Sequence, residues 1–186
     1  AVLSFCSVHT PLLAPEPLVE THRERRDSLQ VDGPRWGRER NRKVRLVQDH
    51  AVYAAMVETM DRAIGTVLDG LDRLGLADDT VVIFFSDNGG LSTSEGHPTS
   101  NLPFRAGKGW LYEGGIREPC IVAAPGGAVK AVCDTPVTSA DLLPTILDLC
   151  GVEPDADRPI DGRSLRPMLE RPRGKAVPRD LFWHYP

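Results

Sequence analysis

The run Val81-Val82-Ile83-Phe84-Phe85 is the strongest constraint on how this 186-residue chain folds. Uninterrupted β-branched and aromatic residues bounded by turn formers predict a strand buried on both faces, the kind found in sheets covered by helices. A suitable cover precedes it. From Gln48 onward, Val52, Met56, Met60, Ile64, Val67, Leu71 and Leu74 fall at steps of three and four, one face of a long amphipathic helix over 48–74. Gly75 follows the last apolar position, where a C-terminal cap belongs. Cys120–Ala124 reads as a second buried strand, and residues 1–8 as a strand stopped at Pro11. Thr138-Ser139-Ala140-Asp141 has capping-box spacing ahead of Leu142, Leu143, Ile146, Leu147 and Leu149, and Gly151 closes that helix. A short helix is expected near Ser164–Leu169, within a Pro- and Arg-rich stretch over 152–180. Strands and helices in this order make an α/β fold, with a mixed sheet flanked by helices.

Charge is unevenly spread. The formal net charge is −4, yet residues 20–45 hold nine Lys/Arg against five Asp/Glu. With Trp36 among the arginines, the stretch has the composition of a nucleic-acid contact. The interleaved acids favour a solvated basic linker, and no nucleic-acid partner is expected. No apolar run approaches the ~20 residues needed to span a bilayer, so no membrane span is expected. Cys6, Cys120, Cys133 and Cys150 form no C-x-x-C pair, which argues against a zinc site and leaves disulfide pairing open. Ala1 enters an apolar run without a basic leader, and Leu181–Pro186 is again apolar, so both ends read as cut.

Ligands of open α/β sheets gather beyond the carboxyl ends of the strands. His9, Asp87 and Asn88 stand at such ends, and Lys108 lies in the loop that follows. Asp87 and Asn88 offer hard oxygen donors to a divalent cation, and Lys108 between Gly107 and Gly109 offers a point charge to an anion. Taken singly, each has an ordinary reading: a D-N-G-G turn, a solvated lysine, a packed histidine.

The combination is more specific. Ser86-Asp87-Asn88-Gly89-Gly90, followed by Asn101-Leu102-Pro103-Phe104-Arg105-Ala106-Gly107-Lys108-Gly109-Trp110-Leu111-Tyr112-Glu113-Gly114-Gly115-Ile116-Arg117-Glu118-Pro119, closely resembles the type I sulfatases of the alkaline phosphatase superfamily. Ser7–Pro11 is similar to that family's H-x-P segment, Tyr53–Val57 with Asp61 to its long helix, and Val137–Thr145 to its later helix. Trp183-His184-Tyr185-Pro186 is similar to the stretch before its small C-terminal domain.

The resemblance implies an alkaline phosphatase-like sandwich, here partial and truncated at both ends. Residues 1–186 would be part of the catalytic domain, with 20–45 a basic linker and 152–186 the lead-in to a C-terminal subdomain. By the same resemblance, Asp87 and Asn88 ligate a cation, Ca²⁺ in most members. Lys108 contacts a sulfate oxygen, and His9 contacts the ester and assists the leaving group. The implied partner is a sulfated small molecule or saccharide, and the implied location periplasmic, lysosomal or secreted. One departure stands out. The family nucleophile is a formylglycine made within C-x-P-x-R, and no cysteine of this chain lies in that pattern. The formylglycine and the remaining cation ligands are expected in a missing N-terminal part, so the fragment alone is expected to be inactive. A phosphate or phosphonate esterase of the same superfamily and a non-catalytic remnant are the alternatives.

Overall fold

A computed structural model describes residues 1–125, 131–172, 174 and 178–185. Pro186, the end of the W-H-x-P-like stretch, lies outside the described residues. The chain divides into two units. One comprises 1–75, 88–118 and 185–186; the other comprises 76–87 and 119–184.

In the first unit, α1 (Glu16–Ser28) packs on α2 (Ala51–Arg73), and a single turn, α3 (Glu113–Ile116), lies within 88–118. The periodicity predicted α2 and its cap. Gly75 adopts φ +66° and donates its N–H to Asp72 O at 3.0 Å. At the other end the His50 side chain accepts from Tyr53 N–H. Of the apolar stripe only Met56 is buried, beside Ala51 and Ala55; Val52, Met60, Ile64 and Leu71 are half-buried, and Val67 and Leu74 are exposed.

The expected linker at 20–45 is structured instead. Its first part belongs to α1, which lacks an apolar period because it buries only Val19. Ion pairs of Arg23 with Glu16 and Glu20, and a hydrogen bond between His22 and Glu58, complete it. The second part is a hairpin of β1 (Trp36–Glu39) and β2 (Arg42–Arg45), paired antiparallel with Trp36 opposite Arg45 and Glu39 opposite Arg42. Lys43 and Arg45 lie over the Trp36 ring at 3.8 and 4.3 Å, so the cations cover the aromatic.

In the second unit, β3 (Val82–Phe85) pairs antiparallel with β4 (Cys120–Ala123). All four β3 residues are half-buried, and among the described residues β4 is its one partner. Burial on both faces is therefore not attained, and the described pairing is antiparallel. The capping box is formed: Thr138 and Asp141 bond reciprocally ahead of α4 (Leu142–Leu149). Gly151 follows at φ +65°, and α5 (Arg166–Glu170) lies near the expected short helix. Residues 1–8 form no strand, because no neighbouring strand pairs with them among the described residues. Val2 is 90% exposed. No helix among the described residues is long and apolar enough to cross a membrane.

Half-buried β3 and exposed Ile121, Leu143 and Ile146 leave apolar surface in water. Unpaired strand edges template association. The isolated 186-residue chain is expected to self-associate, or to bind an apolar dye and melt over a broad range. Size-exclusion chromatography with thermal melting checks this; a monomer with one sharp transition contradicts it.

Candidate active site

The loop over 88–117 has little regular structure, and a single amide organises it. Asn101 Nδ2 faces the carbonyl oxygens of Gly90 (2.9 Å), Ala106 (3.0 Å) and Gly114 (3.1 Å), and Ser92 Oγ at 3.3 Å. These segments approach so closely that side chains are excluded. A Cβ on Gly89 would lie 1.9 Å from Gly114 O, and one on Gly107 would lie 2.3 Å from Gly90 O. The glycine pattern is thus set by backbone-on-backbone packing.

Neighbouring elements brace this loop from outside. Gln48, ahead of α2, accepts from Thr99 Oγ1 and Ser100 N–H, both at 3.0 Å. Arg45 Nε donates to His97 O at 2.7 Å. Asp49 holds Arg45 and Arg35 together. Burial pushes the Asp49 carboxyl upward, but the two guanidinium groups more than reverse this and hold it low. From the hairpin, Glu39 accepts from Ala106 N–H at 2.8 Å and from Arg105 Nε at 2.6 Å. Ala106 has φ +60°, so Glu39 stabilises a left-handed turn two residues before Lys108.

Lys108 donates its backbone N–H to Gly90 O at 3.1 Å. Its Nζ lies 2.7 Å from His9 Nε2. His9 Nδ1 is 2.7 Å from Thr10 O, an acceptor, so Nδ1 carries the proton and Nε2 accepts from the lysine. Thr10 Oγ1 in turn donates to Glu95. His9 and Lys108, 99 positions apart, therefore form one exposed polar pair held from both sides. Such a pair can present a cation and an imidazole to one oxyanion.

Asp87 is exposed just after β3, and Asn88 is half-buried at the start of the loop. As consecutive residues they offer a carboxylate and an amide oxygen. Ca²⁺ takes about six to eight oxygens, and no group of three or more His, Cys, Asp or Glu able to hold a metal gathers among the described residues. The pair fits part of a cation shell, and the described residues do not complete it. All four cysteines are free thiols, and burial pushes Cys120 up, away from the thiolate.

Asn101 and Glu39 have structural roles that sequence reading did not assign. Asn101 lies inside the quoted motif, so its position was visible and its bonding was not. Glu39 offered no local signal, since its partners lie 66 and 67 residues away.

The sulfatase family model matches residues 1–152. The chain belongs to the sulfatase family. This sulfatase segment is 43% identical over 126 residues to the steryl-sulfatase of Rattus norvegicus, covering 64% of the segment and 22% of that relative. It is 38% identical over 134 residues to the N-acetylgalactosamine-6-sulfatase of Homo sapiens, covering 71% of the segment and 25% of the relative. Among solved structures, Ps i-CgsB in complex with k-i-k-neocarrahexaose aligns with a TM-score of 0.68 and 28% identity, over 87% of the segment and 31% of that chain. The segment therefore spans about a quarter of the length of these two curated relatives. The segment is a partial α/β domain of the alkaline phosphatase-like fold that its structural neighbours have.

Proposed function

We propose that the protein containing this segment hydrolyses sulfate esters, and that His9 and Lys108 act on the sulfuryl group and the leaving oxygen. The observation that carries the reading is the 2.7 Å approach of Lys108 Nζ to His9 Nε2 in a chain of the sulfatase family. Breaking the S–O bond builds negative charge on the sulfuryl and leaving oxygens. An ammonium at Lys108 stabilises the first, and His9, once the sulfate has displaced the lysine from Nε2 and that nitrogen has taken a proton from water, donates to the second. A sulfate arriving here displaces the Lys108–His9 contact and takes the lysine's hydrogen bond for itself.

Asp87 and Asn88 are proposed as two of the ligands of a divalent cation, Ca²⁺ by resemblance. When bound, that cation supplies fixed positive charge at the sulfuryl oxygens. The formylglycine nucleophile belongs to the C-x-P-x-R motif that this segment does not contain. Sulfated saccharides are the favoured substrate class. Support comes from two relatives, an N-acetylgalactosamine-6-sulfatase and a structure bound to k-i-k-neocarrahexaose.

In the intact enzyme, Lys108→Ala is expected to lower kcat on an aryl sulfate about 10²- to 10³-fold and to leave Ca²⁺ affinity nearly unchanged. Asp87→Ala is expected to lower Ca²⁺ affinity and activity together. His9→Ala should be most damaging for esters with poor leaving groups. Steady-state kinetics with Ca²⁺ titration separates the roles. Equal loss of Ca²⁺ affinity in the Asp87 and Lys108 variants overturns the assignment.

A further inference from the structure

The β1–β2 hairpin reaches Ala106 and Trp110, two residues to either side of Lys108. Glu39 and Arg42 are paired, so Arg40 and Asn41 form a two-residue turn. Arg40 sits at φ +52°, a backbone region in which Gly or Asn is more at ease. Its guanidinium lies 5.6 Å from the Trp110 ring centroid and 6.0 Å from that of Tyr112. Those rings are stacked on each other, with centroids 6.2 Å apart and planes at 22°. Trp110 is fixed by donating Nε1–H to Thr93 Oγ1 at 3.1 Å, and it stands two residues after Lys108.

The acids nearby are already engaged. Glu39 has its two oxygens on Arg105 Nε and Ala106 N–H, and Glu113 pairs with Arg117. Arg40 donates from Nη2 to Tyr112 OH at 3.1 Å and makes no ion pair with a carboxylate among the described residues. A guanidinium has five N–H donors, so an exposed, pre-oriented fork remains for an incoming anion. Arg38 and Arg42 flank it, are exposed, and also make no ion pair among the described residues. An arginine kept only for packing would gain more from a carboxylate than from two rings.

We infer that Arg40, held over Trp110 and Tyr112, is a second anion subsite beside Lys108. It takes a second sulfate or carboxylate of a polyanionic saccharide while the scissile sulfate occupies His9 and Lys108. The inference rests on the proposed sulfate-ester hydrolysis and specifies the substrate further. Binding at a cationic fork on an exposed hairpin weakens with ionic strength.

The test uses the intact enzyme and 4-nitrophenyl sulfate hydrolysis, with a heparin hexasaccharide as competitor. Tryptophan fluorescence follows hexasaccharide binding directly. Arg40→Ala should raise the hexasaccharide inhibition constant and dissociation constant at least tenfold. Its kcat and KM for 4-nitrophenyl sulfate should stay within twofold. Arg40→Lys should recover only part of the affinity, because it keeps the charge and loses the fork. The fluorescence response should disappear in Trp110→Phe. A hexasaccharide that fails to bind the wild type, or binds the Arg40→Ala variant equally well, overturns the subsite. Wild-type enzyme that binds the hexasaccharide through Arg40 and cleaves no sulfate ester overturns the catalytic reading and leaves the subsite standing.

Discussion

Asp141→Ala is expected to destabilise the region around α4 by about 3–5 kcal/mol, the cost of breaking a buried ion pair from one side. Asp141 is fully buried. Its carboxylate accepts from Thr138 N–H and Arg163 N–H, each at 2.8 Å, and pairs with both terminal nitrogens of Arg179. Removing it opens the capping box ahead of α4, releases the Arg163 amide 22 residues away and leaves Arg179 unpaired. Burial pushes the carboxyl upward, but the Arg179 bonds and the two backbone donors outweigh it, so its folded pKa lies below the unfolded value of about 3.9. A depressed folded pKa contributes stability that is present above the unfolded value and lost as pH falls through the folded one. Acid unfolding below about pH 4 should therefore be blunted in Asp141→Asn, from a lower starting stability. Hydrogen exchange at the Thr138 and Arg163 amides, followed against pH, measures both effects. Unchanged protection in Asp141→Ala contradicts this account.

The second large effect is a complete absence. Purified as 186 residues, with saturating Ca²⁺, the chain is expected to release no product from an aryl sulfate. His9 and Lys108 can stabilise charge, but no residue of the chain lies in C-x-P-x-R to form the covalent intermediate. Product formation that Lys108→Ala abolishes would show that another group of this chain attacks sulfur.

What the sequence made legible follows from what each element buries. The helix α2 could be read because its stripe has a period, and it spans Ala51–Arg73 against an expected 48–74. The strand β3 could be located but not its environment, since burial on both faces depends on neighbours and, among the described residues, only β4 pairs with it. Residues 1–8 carried the same apolar signal and form no strand, because a strand exists through its partner. The helix α1 and the hairpin left no hydrophobic trace. One is anchored by Val19 and ion pairs, the other by cations lying over Trp36.

At the site, the motif supplied the identities and the fold supplied the distances. Nothing in a separation of 99 residues indicates that His9 and Lys108 approach to 2.7 Å. Their catalytic roles stand as a proposal. Glu39 was hidden inside a segment read for its net charge, where one of the acids braces the loop.

Asn101 has one more consequence. Two amide hydrogens are shared among four oxygens, drawn from positions 90, 92, 106 and 114. The carbonyl of Gly90 is also the acceptor for Lys108 N–H. A shift at any spoke therefore pulls on the hub, and through it on the others. The loop behaves as a single gear rather than a set of adjustable fingers. Variation that retunes the protein for a new ligand is expected outside this wheel, as at the turn of the hairpin, because a displaced spoke moves the carbonyl that holds Lys108.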